Sequence, residues 1–170
     1  MCLAPQELTA AVLDGDLVRV GDAFLPVDLP IGPRERAAVL ATTLGTRIIA
    51  ARRTAAWVWG ARWQLPEPLE GYRSLGLGSM PRDPLRVRLH QVRLAEGDVA
   101  MLGDMAVTSP LRTVMDLAMA PGAAFDEHVV RRLLATAGLA PQEVAAALEA
   151  RPRLRGRLDA LRRLQLLLTR

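Results

Sequence analysis

The spacing of apolar residues changes twice along this chain, and this limits the folds open to it. Apolar residues lie at helical spacing in several segments before residue 60. Residues 65–107 are rich in Pro and Gly and contain alternating runs such as LRVRLHQVRL, and helical spacing returns from residue 110. Helix period and strand period in one chain of 170 residues indicate one or two compact domains that combine both elements. The sequence therefore predicts an α+β fold.

The first third of the chain predicts two helices and a hairpin. Residues 6–14, QELTAAVLD, have helical spacing after a proline, and DLVRVGDAFLPVDLP alternates around Gly21-Asp22 as a β-hairpin does. Residues 33–44 begin with proline and stop at Gly45, which predicts a second helix. A helix followed by a hairpin is half of a winged helix. We therefore expect a reduced winged-helix element over residues 1–30 and an α+β domain over 31–170.

The rest of the chain predicts a small sheet followed by helices. A short strand at 47–50 precedes a helix through RRTAAWVWG that ends at Gly60. Residues 65–107 predict a small, mostly antiparallel sheet, with a loop at 75–84. Segments 110–119, 123–136, 141–150 and 156–168 predict a C-terminal helical bundle from about residue 109. Its last helix is expected to bury a leucine stripe that includes Leu154, Leu158, Leu161 and Leu164.

The composition excludes several kinds of site. All 22 basic residues are arginine, so neither the lysine of a phosphate-binding P-loop nor that of a Schiff base is available. Two histidines and one cysteine are too few for a His/Cys zinc site or an internal disulfide. No apolar run approaches the roughly 20 residues of a membrane span. We expect a cytoplasmic protein without metal, cofactor or membrane contact.

Charge alternates in four blocks along the chain. Counting arginines against acids gives −3 for residues 1–46, +6 for 47–93, −5 for 94–150 and +6 for 151–170. Basic blocks of this kind are typical of proteins that contact a nucleic acid or an acidic protein. Folding decides whether the two basic blocks share a face.

The segment VTSPLRTVMDLA, residues 107–118, predicts a helix that enters the core. Ser109 can cap it and Pro110 suits its first position. Arg112 and Asp116 are i, i+4 neighbours in the less favourable order, so an exposed pair would contribute only about 0.2–0.5 kcal/mol. A buried Asp116 that accepts hydrogen bonds would matter more. No histidine, second carboxylate or nucleophile lies beside it in sequence, so we expect a structural role.

The same segment, together with ARRTAAWVWG upstream and the β-type run VRLHQVRLAEGDVAMLGDMA between them, resembles the actinobacterial AbiEi-type family of type IV toxin–antitoxin systems. Members of that family are antitoxins and transcriptional regulators. The resemblance covers residues 53–60 and 107–118 most clearly and extends from about residue 4 to the C-terminus. It assigns these two segments to the scaffold. The family-motif residues are Thr54, Ala55, Ala56, Gly60, Thr108, Ser109, Pro110, Arg112, Thr113, Asp116 and Leu117.

The resemblance implies a non-enzymatic regulator with an N-terminal winged helix that binds operator DNA and a C-terminal α+β domain that serves antitoxin action or further DNA contact. The endonuclease-like domain of some relatives is not expected, because its usual metal site needs a lysine. Residues 6–16 carry three acids and no basic residue, so DNA contacts are expected from other cations. The candidate DNA-binding residues are Arg19, Arg47, Arg52, Arg53, Arg86 and Arg88.

Other interpretations remain open at the level of sequence. The candidate arginines can equally form solvated faces or ion pairs with the acidic blocks. The chain can then be a protein-interaction module that binds a toxin, or that forms a homodimer through its C-terminal helices, and that has lost DNA binding. Trp57, Trp59 and Trp63 are expected to anchor the core rather than stack on bases. His90 and His128 are expected to be structural or surface residues.

Overall fold

A computed structural model describes residues 4–45, 47–73 and 84–168. The predicted α+β class is confirmed. The helices are α1 (Pro5–Leu13), α2 (Pro33–Leu44), α3 (Arg52–Val58), α4 (Pro110–Ala118), α5 (Glu127–Ala137), α6 (Pro141–Glu149) and α7 (Arg157–Leu168). The strands are β1 (Leu17–Val20), β2 (Ala23–Pro26), β3 (Ile48–Ala50), β4 (Leu69–Arg73), β5 (Val87–His90), β6 (Val99–Leu102) and β7 (Met105–Thr108). Short 3-10 turns lie at Pro84–Arg86 and Gly122–Ala124. Residues 75–83 of the predicted loop lie outside the described residues.

Helices begin and end at proline, capping residues and glycine in the sequence. Helix α2 starts with proline, and the Glu35 carboxylate accepts a hydrogen bond from the Gly32 amide at 2.9 Å. Helix α4 also starts with proline, and Ser109 Oγ accepts from the amide of Arg112 at 3.4 Å. Helix α5 ends at Gly138, which adopts the left-handed conformation that glycine tolerates best. The predicted helices and the hairpin of β1 and β2 are therefore confirmed, with boundaries shifted by a few residues.

The main sheet differs from the prediction in strand direction. Its five strands lie in the order β5-β4-β3-β7-β6. The pairs β3–β4 and β6–β7 are antiparallel, whereas β3–β7 and β4–β5 are parallel. The expectation of a mostly antiparallel sheet was wrong, because alternation reports which face a side chain occupies and not the direction of the neighbouring strand.

The two faces of this sheet are covered differently. On one face Ile48, Leu69 and Val107 pack with Leu40 and Leu44 of α2 in a large apolar cluster. On the other face the apolar cluster is small. Its buried residues are Ile49, Ala51 and Tyr72, and Val92, Leu94, Val99 and Ala106 pack against them partly buried. The second face therefore carries most of the polar groups discussed below.

Helices α4 to α7 form the predicted C-terminal helical bundle. Met115 of α4, Leu133 of α5, Leu148 of α6 and Leu164 of α7 belong to one buried cluster. The predicted leucine stripe is wrong at one position, since Leu158 is 62% exposed. The buried residues of α7 are Ala160, Leu164 and Leu167, so Leu158 lies on the side of the helix that faces away from the bundle.

The N-terminal segment is attached mainly through the hairpin. Helix α1 has no buried residue. Val20 of β1, in contrast, belongs to the same apolar cluster as Val39 and Leu40. Gly21 turns the hairpin with a φ of +61°, and an added Cβ there would lie 3.1 Å from Leu65. The winged-helix interpretation and the domain boundary near residue 30 stay predictions.

Candidate functional site

Three of the six candidate arginines line one cleft. Arg52 and Arg53, at the start of α3, and Arg88, on β5, contribute to its walls together with Glu70, His90 and Asp116. The far wall is formed by Leu117, Ala120, Pro121 and Ala124. The cleft has a volume of about 260 Å³. It is the place where three of the sequence-predicted cations converge.

The other three candidate arginines lie elsewhere. Arg86 donates to Asp22 at 2.8 Å and lies 3.4 Å from Glu67. Arg19 is 4.0 Å from the same Asp22, at the tip of the hairpin. Arg47 is exposed just before β3. The structure therefore does not bring all six residues to one surface.

Strand register builds the cleft from residues that are distant in sequence. In the parallel pair of β4 and β5, Glu70 lies beside Arg88, and Tyr72 lies beside His90. Because side chains alternate between the faces of a strand, these four share one face. Helix α3 follows β3 with one intervening residue, which places Arg52 and Arg53 above Glu70.

Arg52 has an uncommon backbone conformation. Its φ is +53°, in the left-handed region that non-glycine residues seldom adopt. Its side chain is 29% exposed, and its Nη1 lies 4.0 Å from a Glu70 oxygen. Such backbone conformations often occur where a side chain must be held in one direction.

Glu70 is the central acceptor of the cleft. It is 4% exposed, and its Oε2 accepts from Nε of Arg53 at 2.9 Å and from the Arg53 amide at 3.2 Å. Its own amide donates to the Thr54 hydroxyl at 2.7 Å. Burial raises the pKa of Glu70, but the hydrogen bonds and charge of Arg53 and the charge of Arg52 outweigh burial. The pKa of Glu70 therefore lies below its usual value.

His90 lies beside Glu70 without a hydrogen bond to it. Its Nε2 is 3.7 Å from Glu70 Oε1, beyond hydrogen-bond distance. Burial and the charge of Arg52 lower the pKa of His90, and the charge of Glu70 opposes them only in part. His90 is therefore a neutral imidazole at neutral pH.

A chain of buried ion pairs runs from the floor of the cleft through α4. Asp116 accepts from Nε of Arg112 at 3.0 Å, and Nη1 of Arg112 donates to Asp98 at 2.9 Å. Asp98 also accepts from Arg151 at 2.9 Å. The Arg112 guanidinium lies 5.6 Å from the ring centre of Tyr72. Arg112 and Asp116 are 2% and 3% exposed, so the small contribution expected of an exposed ion pair does not apply to them.

The pKa values of the two carboxylates of the cleft shift in opposite directions, although burial alone raises both. Burial raises the pKa of Asp116, and the charges of Arg112 and Arg52 and the Tyr72 hydroxyl only reduce that rise. The pKa of Tyr72 is also raised, by burial and by the charge of Asp116. Asp116 is thus the carboxylate of the cleft that binds a proton more readily, and Glu70 is the one that stays ionised.

The two motif segments contact each other and hold the fold together. Nε1 of Trp59 donates to the Thr108 carbonyl at 2.8 Å, which joins the end of α3 to the end of β7. The hydroxyls of Thr108 and Thr113 are 2.7 Å apart. Ala56 and Leu117 share the bundle core. The remaining motif residues have local roles: Ala55 packs against the sheet, Gly60 turns the chain with a φ of +78°, and Ser109 and Pro110 begin α4.

The tryptophans and histidines agree only in part with expectation. Trp57 is buried and Trp59 packs partly buried against both larger clusters. Trp63 was expected in the core, but it is 77% exposed and lies 4.1 Å beneath the guanidinium of Arg132. It follows the glycine turn after α3, where the chain leaves the core. His128 is exposed, whereas His90 lines the cleft.

Sequence reasoning missed Glu70, Tyr72, Asp98 and Arg151. Glu70 and Tyr72 alternate with apolar residues in LEGYR, a pattern that indicates a shared strand face. That pattern could have marked them as a pair. Their proximity to Arg88, His90 and Arg112 depends on parallel pairing and helix docking, which leave no local pattern.

Comparison of the sequence with models of known protein families and with curated proteins finds no match. Within the described residues, no group of three or more His, Cys, Asp or Glu side chains could hold a metal ion. No helix in the same part of the chain is long and apolar enough to cross a membrane.

Proposed function

We propose that this chain is a non-enzymatic, antitoxin-like transcriptional regulator that contacts duplex DNA through the rim of the cleft. The observation that carries the proposal is the convergence of Arg52, Arg53 and Arg88 from two different elements onto one concave surface. The antitoxin-like part of the proposal is supported by the resemblance of the two motif segments to the AbiEi-type family.

The charges of the rim suit a phosphate backbone. Three guanidinium groups face two carboxylates, and Asp116 is already held by Arg112 below the floor. Arg88 is exposed on β5, which is an edge strand of the sheet. Arginines at such an edge can neutralise phosphates and release counterions, which supplies most non-specific affinity for DNA.

The N-terminal helix is the weaker candidate surface. Helix α1 contains Glu7 and is followed by Asp14 and Asp16, all of them exposed. The nearest candidate cation, Arg19, is 4.0 Å from Asp22. The negative charges of these carboxylates would repel the phosphates and reduce affinity for DNA. The proposed interface therefore differs from the winged-helix contact that the resemblance implies.

Fluorescence anisotropy with a labelled duplex that covers the chain's own promoter tests the proposal. Random-sequence duplex serves as competitor. Arg88→Glu is expected to weaken binding strongly, because it reverses a charge on the rim. Arg155→Glu is the matched control, since Arg155 is exposed in the turn before α7 and does not line the cleft. Equal effects of the two variants would contradict the proposed surface.

A protein-interaction module is the second candidate function. Helix α7 exposes Leu158 by 62% and Leu168 by 47%, next to a basic segment. Exposed apolar side chains of this size suit a homodimer or a toxin partner. Light scattering after size-exclusion chromatography measures self-association, and Leu158→Arg should abolish it if α7 is the contact.

A further inference from the structure

Another cavity, separate from the cleft, opens between the segment after β5 and the turn after α6. Residues 92–95 and 151–154 form its two sides, and its volume is about 650 Å³. We call this cavity the groove. Its apolar lining includes Val92, Leu94 and Leu154, which pack only partly buried against two different apolar clusters. An apolar surface of this kind, bordered by charged residues, is typical of an interaction site.

The groove carries positive charge that the described residues do not compensate. Arg93 and Arg153 line it, both are exposed, and neither forms an ion pair with another described residue. The one acid in the described lining, Asp98, already accepts hydrogen bonds from Arg112 and Arg151. An apolar groove with free guanidinium groups favours a partner that presents apolar side chains next to carboxylates.

The N-terminal segment of this chain presents such a surface. Leu13, Val27 and Leu29 are 82%, 60% and 40% exposed. The amide of Val27 donates to the carbonyl of Asp16 at 3.1 Å, so the segment after β2 lies beside the end of α1. We define the N-terminal patch as these three apolar residues together with the exposed carboxylates of the same segments, Asp14, Asp16 and Asp28.

No cation neutralises this patch from its own segment. Arg19 is the only basic residue among residues 4–33, and it lies 4.0 Å from Asp22 at the tip of the hairpin. None of the three carboxylates of the patch forms an ion pair with another described residue. The patch and the groove are therefore complementary in both charge and apolar character.

We propose that the groove of one chain binds the N-terminal patch of a second copy, so that the protein associates head to tail. Carboxylates of the patch would pair with Arg93 and Arg153, and its exposed leucine and valine side chains would cover the apolar lining of the groove. The proposal goes beyond the proposed function, because it uses neither the DNA-contacting cleft nor helix α7.

The positions of the two surfaces require a second copy. The hairpin that carries the patch packs through Val20 on the α2 face of the main sheet. Val92 and Leu94 of the groove pack on the opposite face, against Ile49 and Tyr72. Since the sheet lies between them, one chain cannot place its own patch in its own groove.

The two sides of this contact are different surfaces, so the association is heterologous. A heterologous contact closes into a ring or continues as a chain of copies, whereas a dimer with a two-fold axis uses the same patch twice. Both surfaces consist of short segments, so the interface should be smaller than the roughly 1,200–2,000 Å² of a stable complex and the association should be weak.

Sedimentation equilibrium of the full chain tests whether it associates. At about 10–500 µM, a range suited to a small and weak interface, the mean mass of the wild-type protein should rise with concentration. The rise should be smaller in about 0.5 M salt than in about 0.05 M salt, because exposed ion pairs are screened. A wild-type protein that stays monomeric throughout this range at low salt would overturn the proposal.

Charge reversal tests which surfaces meet. The patch variant carries Asp14→Arg and Asp28→Arg, and the groove variant carries Arg93→Glu and Arg153→Glu. Each variant alone should associate roughly tenfold more weakly than the wild type or less, because like charges then face each other. An equimolar mixture of the two variants, and a chain that carries all four reversals, should regain association. Failure of both to regain it would contradict the pairing of patch with groove.

Two controls separate this contact from general electrostatic or apolar attraction. Arg155→Glu with Arg162→Glu changes net charge as the groove variant does, but neither residue lines the groove, so association should match the wild type. Leu13→Ser should weaken association about tenfold, the effect of exposing one leucine side chain. Met101→Ser is its control, because Met101 is also exposed, by 62%, and lies outside both surfaces. Equal effects within either pair would contradict the proposed contact.

The same measurements distinguish this contact from the alternative surface on α7. Association that Leu158→Arg abolishes and that neither charge reversal affects would place the contact on α7 and overturn the proposal. The variants leave Arg52, Arg53 and Arg88 in place, so DNA binding is measured on them independently. Loss of head-to-tail association with intact DNA binding would show that the two proposals stand or fall separately.

Discussion

Replacing Arg112 with leucine is expected to remove a large part of the stability of this protein. Arg112 is 2% exposed and donates to both Asp116 and Asp98. Without it, Asp98 keeps Arg151 and the Ala95 amide, but Asp116 loses the one ion pair that it forms among the described residues. Removing one partner of a buried ion pair typically costs about 3–5 kcal/mol, since it leaves an uncompensated charge.

The loss is large compared with the total stability of a domain, which is about 5–15 kcal/mol. For a chain of this length each kcal/mol lowers the melting temperature by about 2–4 °C, so Arg112→Leu should lower it by about 6–20 °C. Thermal and urea unfolding followed by circular dichroism measure the effect. Arg162→Leu is the matched control, because Arg162 is 79% exposed and only 3.7 Å from Asp159 on the same helix. Its effect should be about 1 kcal/mol or less.

The pH dependence of this penalty provides a stricter test. Burial already raises the folded-state pKa of Asp116, and removing the Arg112 charge should raise it further. An acid whose folded pKa exceeds its unfolded pKa loses stability as pH rises between the two values. The Arg112→Leu penalty should therefore be smaller at acidic pH, where Asp116 is protonated, than at neutral pH. A penalty that matches the control, or that grows on acidification, would refute the reasoning.

Three further predictions concern the cleft and the sheet beneath it. The folded-state pKa of Glu70 is lowered, so ionised Glu70 stabilises the fold above its unfolded pKa, and this contribution is lost as pH falls through the folded pKa. In a pH series of urea melts, Glu70→Gln should therefore reduce the loss of unfolding free energy at acidic pH. Arg52→Gly should be about 1 kcal/mol more stable than Arg52→Ala in urea unfolding, because the φ of +53° is strained for alanine, and equal stability would argue against backbone strain. Gly71→Ala should cost about 1–3 kcal/mol in the same assay, because its Cβ would lie 2.6 Å from Ile48 Cγ2, and a neutral result would contradict the close packing of β3 and β4.

Elements whose ends are marked by local chemistry could be predicted from the sequence. Helix α2 was predicted with the bounds it has, because Pro33 and Gly45 set both ends. The hairpin around Gly21 was predicted from alternation and a turn dipeptide. These features depend on residues within a few positions of one another.

Features that depend on distant pairing could not be predicted. Parallel pairing of β4 with β5 places Glu70 beside Arg88, 18 positions away. The ion pairs of Arg112 use Asp98, which enters from the turn before β6, and Arg151 joins them from the end of α6. Alternation and charge counts contain no information about these contacts. The burial of Arg112 and the composition of the cleft could therefore be determined only from the three-dimensional structure.

The salt dependence of DNA binding tests the central claim most directly. Each neutralised phosphate contributes about −0.9 to the slope of log K against log salt concentration, so contacts from Arg52, Arg53 and Arg88 predict a slope of about −3. Arg88→Ala should make that slope shallower by about one, whereas Arg155→Ala should leave it unchanged. A slope near zero, or the same slope in all three proteins, would contradict duplex contact through the cleft.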